Sequence, residues 1–100
     1  MKKINFYIGA NNKTGKVETQ KAIEVLTKYY KGMNIIKSSL SELIGVWQGK
    51  KEASILVSIV CEVVDYTQIK NACRELNNKL DQQAIMVEVL NSNALFISDR

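Results

Sequence analysis

The chain has 100 residues, 46% hydrophobic, 24% charged and 7% aromatic, with no histidine. That length suits one domain, residues 1–100, whose core needs neither metal nor disulfide, and no apolar run nears the ~18 residues of a membrane span. Without histidine, Ser-His-Asp and Cys-His catalysis and the usual zinc spacings are excluded, and no cofactor or metal is expected. The net charge of +4 is uneven: ten Lys against three acids in residues 1–51 (10 − 3 = +7), four Lys or Arg against seven acids in 52–100 (4 − 7 = −3). Such polarity can attract nucleic acid or an acidic partner, although lysines scattered over helices and loops equally describe a solvated face.

In chain order, Ile4, Phe6 and Ile8 alternate with Lys3, Asn5 and Tyr7, the period-two pattern of a strand with one buried face. This opening has neither the continuous apolar stretch nor the small-residue cleavage site of a secretory signal, so a cytoplasmic protein is expected. Residues 10–16, rich in Asn and Gly, predict a loop. Ala22, Val25, Leu26 and Tyr29 then fall on one face of a helix, with Glu24 and Lys28 in the favourable order for an ion pair and Gly32 as a stop signal. Residues 33–47 predict a strand with an irregularity around Ser38–Leu43. Gln48-Gly49-Lys50-Lys51 makes a tight turn into a strong strand over 53–64, with Ile55, Val57, Ile59, Cys61 and Val63 on one face. Asp65 and Gln68 have N-cap and N3 spacing, and Ile69, Ala72, Cys73, Leu76 and Leu80 continue as a helix. Ala84–Leu90 alternates again as a strand, and residues 94–97 suggest a short fifth one.

The order is βαββαβ, an α+β ferredoxin-like fold with both helices on one face of an antiparallel sheet. The other face then displays Tyr7, Leu56, Val60, Met86 and Leu90 among Asn5, Ser54, Ser58, Glu62 and Glu88. That much apolar area predicts self-association, most simply a homodimer packed sheet to sheet.

The chain also resembles a family of small uncharacterised bacterial and phage proteins. The resemblance rests on Tyr7-Ile8-Gly9, Gly32-Met33, Gly45-Val46-Trp47, Gly49, Glu52-Ala53-Ser54 and Gln83-Ala84-Ile85-Met86-Val87. The spacing between Gly32 and Gly45 is longer than the family's. The resemblance implies a ferredoxin-like fold and carries over no catalytic residue.

Cys61 and Cys73 are expected as free thiols on core-facing positions, without the basic surroundings that make a thiolate reactive. Glu52, Glu62 and Glu88 could meet on neighbouring strands as an acid/base pair does, but solvated strand ends explain them more simply. Residues 10–16 miss the phosphate-loop pattern at Ala10 and at Val17, where glycine and Ser or Thr belong. A looser contact with an anion through Asn11, Asn12, Lys13 and Lys16 is compatible with the composition. Trp47, between Gly45 and Gly49, is either a core residue or an anchor for a partner or a base.

The expected function is a non-enzymatic, homo-oligomeric binding protein for a protein or small anionic ligand. In the phage setting of the resemblance it would act in counter-defence, occluding a host protein or sequestering a nucleotide signal. The alternatives are a nucleic-acid binder using Lys13, Lys16, Lys50 and Lys51, and a small dimeric α+β barrel enzyme.

Overall fold

A computed structural model describes residues 1–31, 34–37, 44–47, 50–82 and 84–94, and for 34–37, 44–47 and 50–53 it describes the backbone. The elements are β1 (Lys2–Gly9), α1 (Thr19–Thr27), β2 (Asn34–Lys37), β3 (Ile44–Trp47), β4 (Lys50–Cys61), α2 (Tyr66–Leu80) and β5 (Met86–Asn91). The sheet order is β2-β4-β1-β5, with β3 also paired to β4 and every pairing antiparallel. This is the ferredoxin-like arrangement, in which the two βα units interleave so that β1 and β4 lie at the centre.

The predicted second strand is two. β2 pairs with Ile55–Ser58 and β3 with Lys50–Ala53 of the same long strand. Between Lys37↔Ile55 and Ile44↔Ala53, β4 advances by Ser54 alone, whereas residues 38–43 separate the end of β2 from the start of β3 in the chain. The expected turn or helical insertion at Ser38–Leu43 and the Gly32 stop lie outside the described residues, as do Gln48 and Gly49 of the expected tight turn; its other half, Lys50-Lys51, is not turn but the start of β4, laddered to β3. β4 starts earlier and ends earlier than its pattern suggests: it runs from Lys50 to Cys61, and Val63 stands in the following turn, 82% exposed. The alternation cannot see this end, because Val63 keeps the apolar parity after the ladder with β1 has run out at Lys2↔Cys61. Of the suggested fifth strand, Ala94 is non-strand and 95–97 lie outside the described residues.

Elsewhere the parity holds. Ile4, Phe6 and Ile8 of β1 and Ile55, Val57 and Ile59 of β4 are buried beneath α1 and α2, which contribute Ala22, Val25 and Leu26, and Ile69, Ala72, Leu76 and Leu80. Ile85, Val87 and Val89 pack against this core from the β5 side. The fourteen buried cluster residues include one polar group, Tyr30, whose ring lies 5.9 Å from that of Phe6 at 59°.

The helices are tied by polar contacts that periodicity does not foresee. Lys28 does not pair with Glu24; its Nζ lies 2.9 Å from Glu75 Oε2, and Tyr29 Oη donates to Glu75 Oε1. The Tyr29 hydroxyl and then Lys28 hold the Glu75 carboxyl below its ordinary range, while the bond to Glu75 raises the Tyr29 hydroxyl. Asp65 Oδ1 accepts from Gln68 N at 3.1 Å, the expected cap. The Gln68 side chain does not complete a capping box, however: its amide donates to the Tyr29 carbonyl at 3.0 Å, joining α2 to the end of α1.

Tyr30 provides a direct test of the core. Its hydroxyl is buried and has no hydrogen-bond partner among the described residues, and burial, with the Cys61, Cys73 and Asp65 side chains nearby, pushes its pKa from 10.0 up to about 12. An unsatisfied buried hydroxyl costs about 1–3 kcal/mol, so Tyr30→Phe should match or exceed the native protein in a urea melt at pH 7. The folded state holds the neutral phenol, so this contribution to stability is complete below pH 10 and is lost as pH climbs to about 12. Melts repeated at pH 11 should therefore widen the difference in favour of the variant. A variant less stable at both pH values would show that the hydroxyl has a partner.

Candidate functional site: the open sheet face and the basic end

The face of the sheet turned away from the helices is organised in ranks set by strand register. Val60, Lys3 and Leu90 lie side by side across β4, β1 and β5; next come Ser58, Asn5 and Glu88; then Leu56, Tyr7 and Met86. The middle rank is a hydrogen-bonded chain. Ser58 Oγ donates to Asn5 Oδ1 at 2.7 Å, Asn5 Nδ2 donates to Glu88 Oε1 at 3.2 Å, and Tyr7 Oη donates to the same oxygen at 3.0 Å. The bond to Glu88 is the main reason the Tyr7 hydroxyl titrates above its ordinary value. Asn5 and Ser58 are only 5% exposed, although no helix covers them.

The outer ranks are mostly apolar, with Lys3 between Val60 and Leu90 in one and Tyr7 between Leu56 and Met86 in the other. Met86 is 62% exposed and Leu90 42%, with Leu56, Val60 and Tyr7 half-buried. All five residues expected on this face are on it. The sequence reading missed the chain through Ser58, Asn5, Glu88 and Tyr7. Each of its members has the right parity, but only the register of three strands puts Ser58, Asn5 and Glu88 in one row with Tyr7 in the next. Glu88 is accordingly mid-strand and hydrogen-bonded, not a solvated strand end. Glu62 is exposed in the turn after β4, away from Glu88, and the Glu52 side chain lies outside the described residues. No group of three or more His, Cys, Asp or Glu that could hold a metal occurs among the described residues.

Strand register directs the basic segments toward the same end of the sheet. β1 ends at Gly9, opposite Ser54, and Lys50–Ala53 of β4 run past that point with β3 alongside. The loop leaving Gly9 thus shares an end with Trp47, Lys50 and Lys51, which are placed here by their backbones alone. Its inner part is built around Asn11, which is buried. Asn11 Oδ1 accepts from the amides of Lys13 (2.8 Å) and Thr14 (3.3 Å), its backbone bonds to Gly15 and Lys16, and its Nδ2 donates to Glu18 Oε1. Gly15 adopts φ +70°, which favours glycine. Lys21 and then Asn11 hold the Glu18 carboxyl low. The Asn12 amide and the Ala10 carbonyl are tied to the end of α2 through the Asp81 carbonyl and the Gln82 side chain. Asn11 is therefore the loop's internal clamp, and the amides an anion would need are already used. Asn12, Lys13 and Lys16 are exposed.

Both cysteines are free and half-buried against the core, and burial raises the Cys73 thiol. That is the inert environment expected of them. No described helix is long and apolar enough to cross a membrane.

No protein-family model and no curated protein matches the chain. Solved structures do. A nitrogen regulatory PII-like protein, CPII, from Thiomonas intermedia K12, described as bound to ADP, AMP and bicarbonate, matches with TM-score 0.53 at 16% identity, over 89% of this chain and 86% of that one. CutA1 from Oryza sativa matches with TM-score 0.56 at 15% identity, over 96% and 84%. A DUF3240 family protein from Shewanella baltica OS155 matches with TM-score 0.54 at 7% identity, over 98% and 97%. At these identities the likeness is one of fold.

Proposed function

We propose that this chain is a non-enzymatic, homo-oligomeric binding protein whose open sheet face joins copies and whose basic end takes a small anionic ligand or an acidic protein. The observation that carries the reading is the construction of the face: a sheet surface that no described helix covers, with Leu56, Val60, Met86 and Leu90 on either side of a polar row whose short side chains are already satisfied. Such a surface can be dried with little desolvation cost at Asn5 and Ser58, while the apolar ranks favour removal from water. A sheet-to-sheet homodimer is its simplest form. A non-enzymatic role is supported by both thiols lying half-buried against the core. In a phage-type setting, the same capture of an anion or protein would sequester a nucleotide signal or occlude a host protein.

The anionic ligand is supported by Lys13 and Lys16 standing exposed at the end to which the backbones of Lys50 and Lys51 run. One neighbour of this fold is described with ADP, AMP and bicarbonate, all anions. The exposed lysines also favour a second reading, a nucleic-acid binder.

Native mass spectrometry of freshly purified protein tests the main reading, since it reports assembly and co-purifying ligand together. A multimer that retains, or takes up, an added adenine nucleotide is expected. A monomer at tens of micromolar that takes up no anion overturns it. DNA or RNA binding that falls steeply with added salt selects the second reading.

A further inference from the structure

We infer that Lys3 and Glu88 are the electrostatic key of self-association, with Lys3 of one copy pairing with Glu88 of the copy laid on its open face. The inference rests on the reading above that this face joins copies. Lys3 and Glu88 are the charged groups within the three ranks, one beside Leu90 and the other beside Asn5. Lys2, of opposite parity, is engaged with the Asn91 side chain, and Glu62 lies beyond the end of β4. Within the chain Lys3 and Glu88 sit diagonally on adjacent strands, about 7–8 Å apart at the backbone, yet they make no ion pair. Glu88 is instead turned toward Asn5 and Tyr7, which both donate to Oε1. That leaves Oε2 of an already oriented carboxylate available to a donor from outside.

Charge complementarity decides what can cover the face. Any partner that dries the apolar ranks also dries Glu88, and an unpaired buried carboxylate is strongly unfavourable. A neutral apolar partner leaves that cost standing. A second copy brings Lys3 inside the same apolar surround, and under a twofold axis each copy's Lys3 meets the other's Glu88, so both charges are neutralised at once. The face is therefore self-complementary in charge as well as in polarity.

The test is a charge swap read by sedimentation velocity at low salt over a range of protein concentrations. Lys3→Glu and Glu88→Lys should each weaken self-association by about tenfold or more, because each places like charges in apposition. The double variant Lys3→Glu/Glu88→Lys should recover most of the native assembly. Rescue separates the proposed role from a structural one: the bonds from Asn5 and Tyr7 to Glu88 are lost equally in Glu88→Lys and in the double variant. Lys3→Met leaves the Glu88 network whole and should also weaken assembly, which keeps the test open if Glu88→Lys folds poorly by circular dichroism. An assembled native protein whose single variants assemble equally well, or whose double variant is no better than the singles, overturns the pairing and leaves the open-face reading standing. A native protein that is monomeric at tens of micromolar overturns both.

Discussion

Phe6→Ala should lower stability by about 3–5 kcal/mol, the usual cost of removing a buried aromatic ring from a site that cannot collapse around the gap. Phe6 is fully buried on the central strand β1, where its backbone partners are Val57 on one side and Val87 on the other and its ring meets that of Tyr30. Those neighbours belong to three elements already fixed by the sheet ladder or the helix connection, so none can move in without breaking other contacts. Domains of this size have about 5–15 kcal/mol in total, and each kcal/mol shifts the midpoint by about 4–8 °C. A fall of at least about 12 °C in the thermal midpoint is therefore expected by differential scanning calorimetry. Tyr7→Phe, one residue along on the opposite face, removes a single partly exposed hydrogen bond and should cost no more than about 1.5 kcal/mol. Equal effects at the two positions would contradict the placement of the core on the helix side.

Leu90→Asp and Met86→Asp should each convert the assembled protein to a monomer while leaving the chain folded. Both side chains are exposed in the single chain, at 42% and 62%, and exposed substitutions typically change stability by no more than about 0.5 kcal/mol. Their position on edge strand β5 adds at most about 1 kcal/mol for the poor strand preference of aspartate. In a sheet-to-sheet assembly each substitution adds a buried carboxylate for which the face has no further cation: that of Met86→Asp lies two residues from Glu88, and that of Leu90→Asp lies beside Lys3 and competes for it with the partner copy's Glu88. Leaving one such charge unpaired costs about 3–5 kcal/mol, more than a hundredfold in dissociation constant. Light scattering coupled to size exclusion measures the mass, and circular dichroism confirms the fold. Assembly that survives both substitutions would place the interface on another surface, the β3–β4 extension being the next to probe.

The two sets of substitutions lie on opposite parities of the same strands, and parity is what the residues by themselves reveal. Alternation in β1, β4 and β5 assigns Ile4, Phe6 and Ile8 to one side and Lys3, Asn5 and Tyr7 to the other, because side chains in a strand must alternate whatever the strand pairs with. The second helix is equally legible, from its Asp65 cap to Leu80, since capping and 3.6-residue spacing are local. The βαββαβ order, and with it the fold, follows from such local features together with the short connections between them.

What required the tertiary structure is everything that depends on register or on contacts distant in sequence. Lys28 has Glu24 four residues away, yet it pairs with Glu75, because packing of α1 on α2 brings that carboxylate and the Tyr29 hydroxyl together. The segment before β4 divides into β2 and β3, which pair with successive stretches of β4, a register that apolar parity does not report. Asn11 reads as an exposed anion contact from composition, and becomes a buried clamp because the loop folds over its side chain. The sequence determined that one sheet face would be left uncovered and which residues would be on it. Only the register of three strands decided that Ser58, Asn5 and Glu88 would form a single polar row between apolar ranks, because pairing across strands is a non-local choice that no one strand's pattern contains.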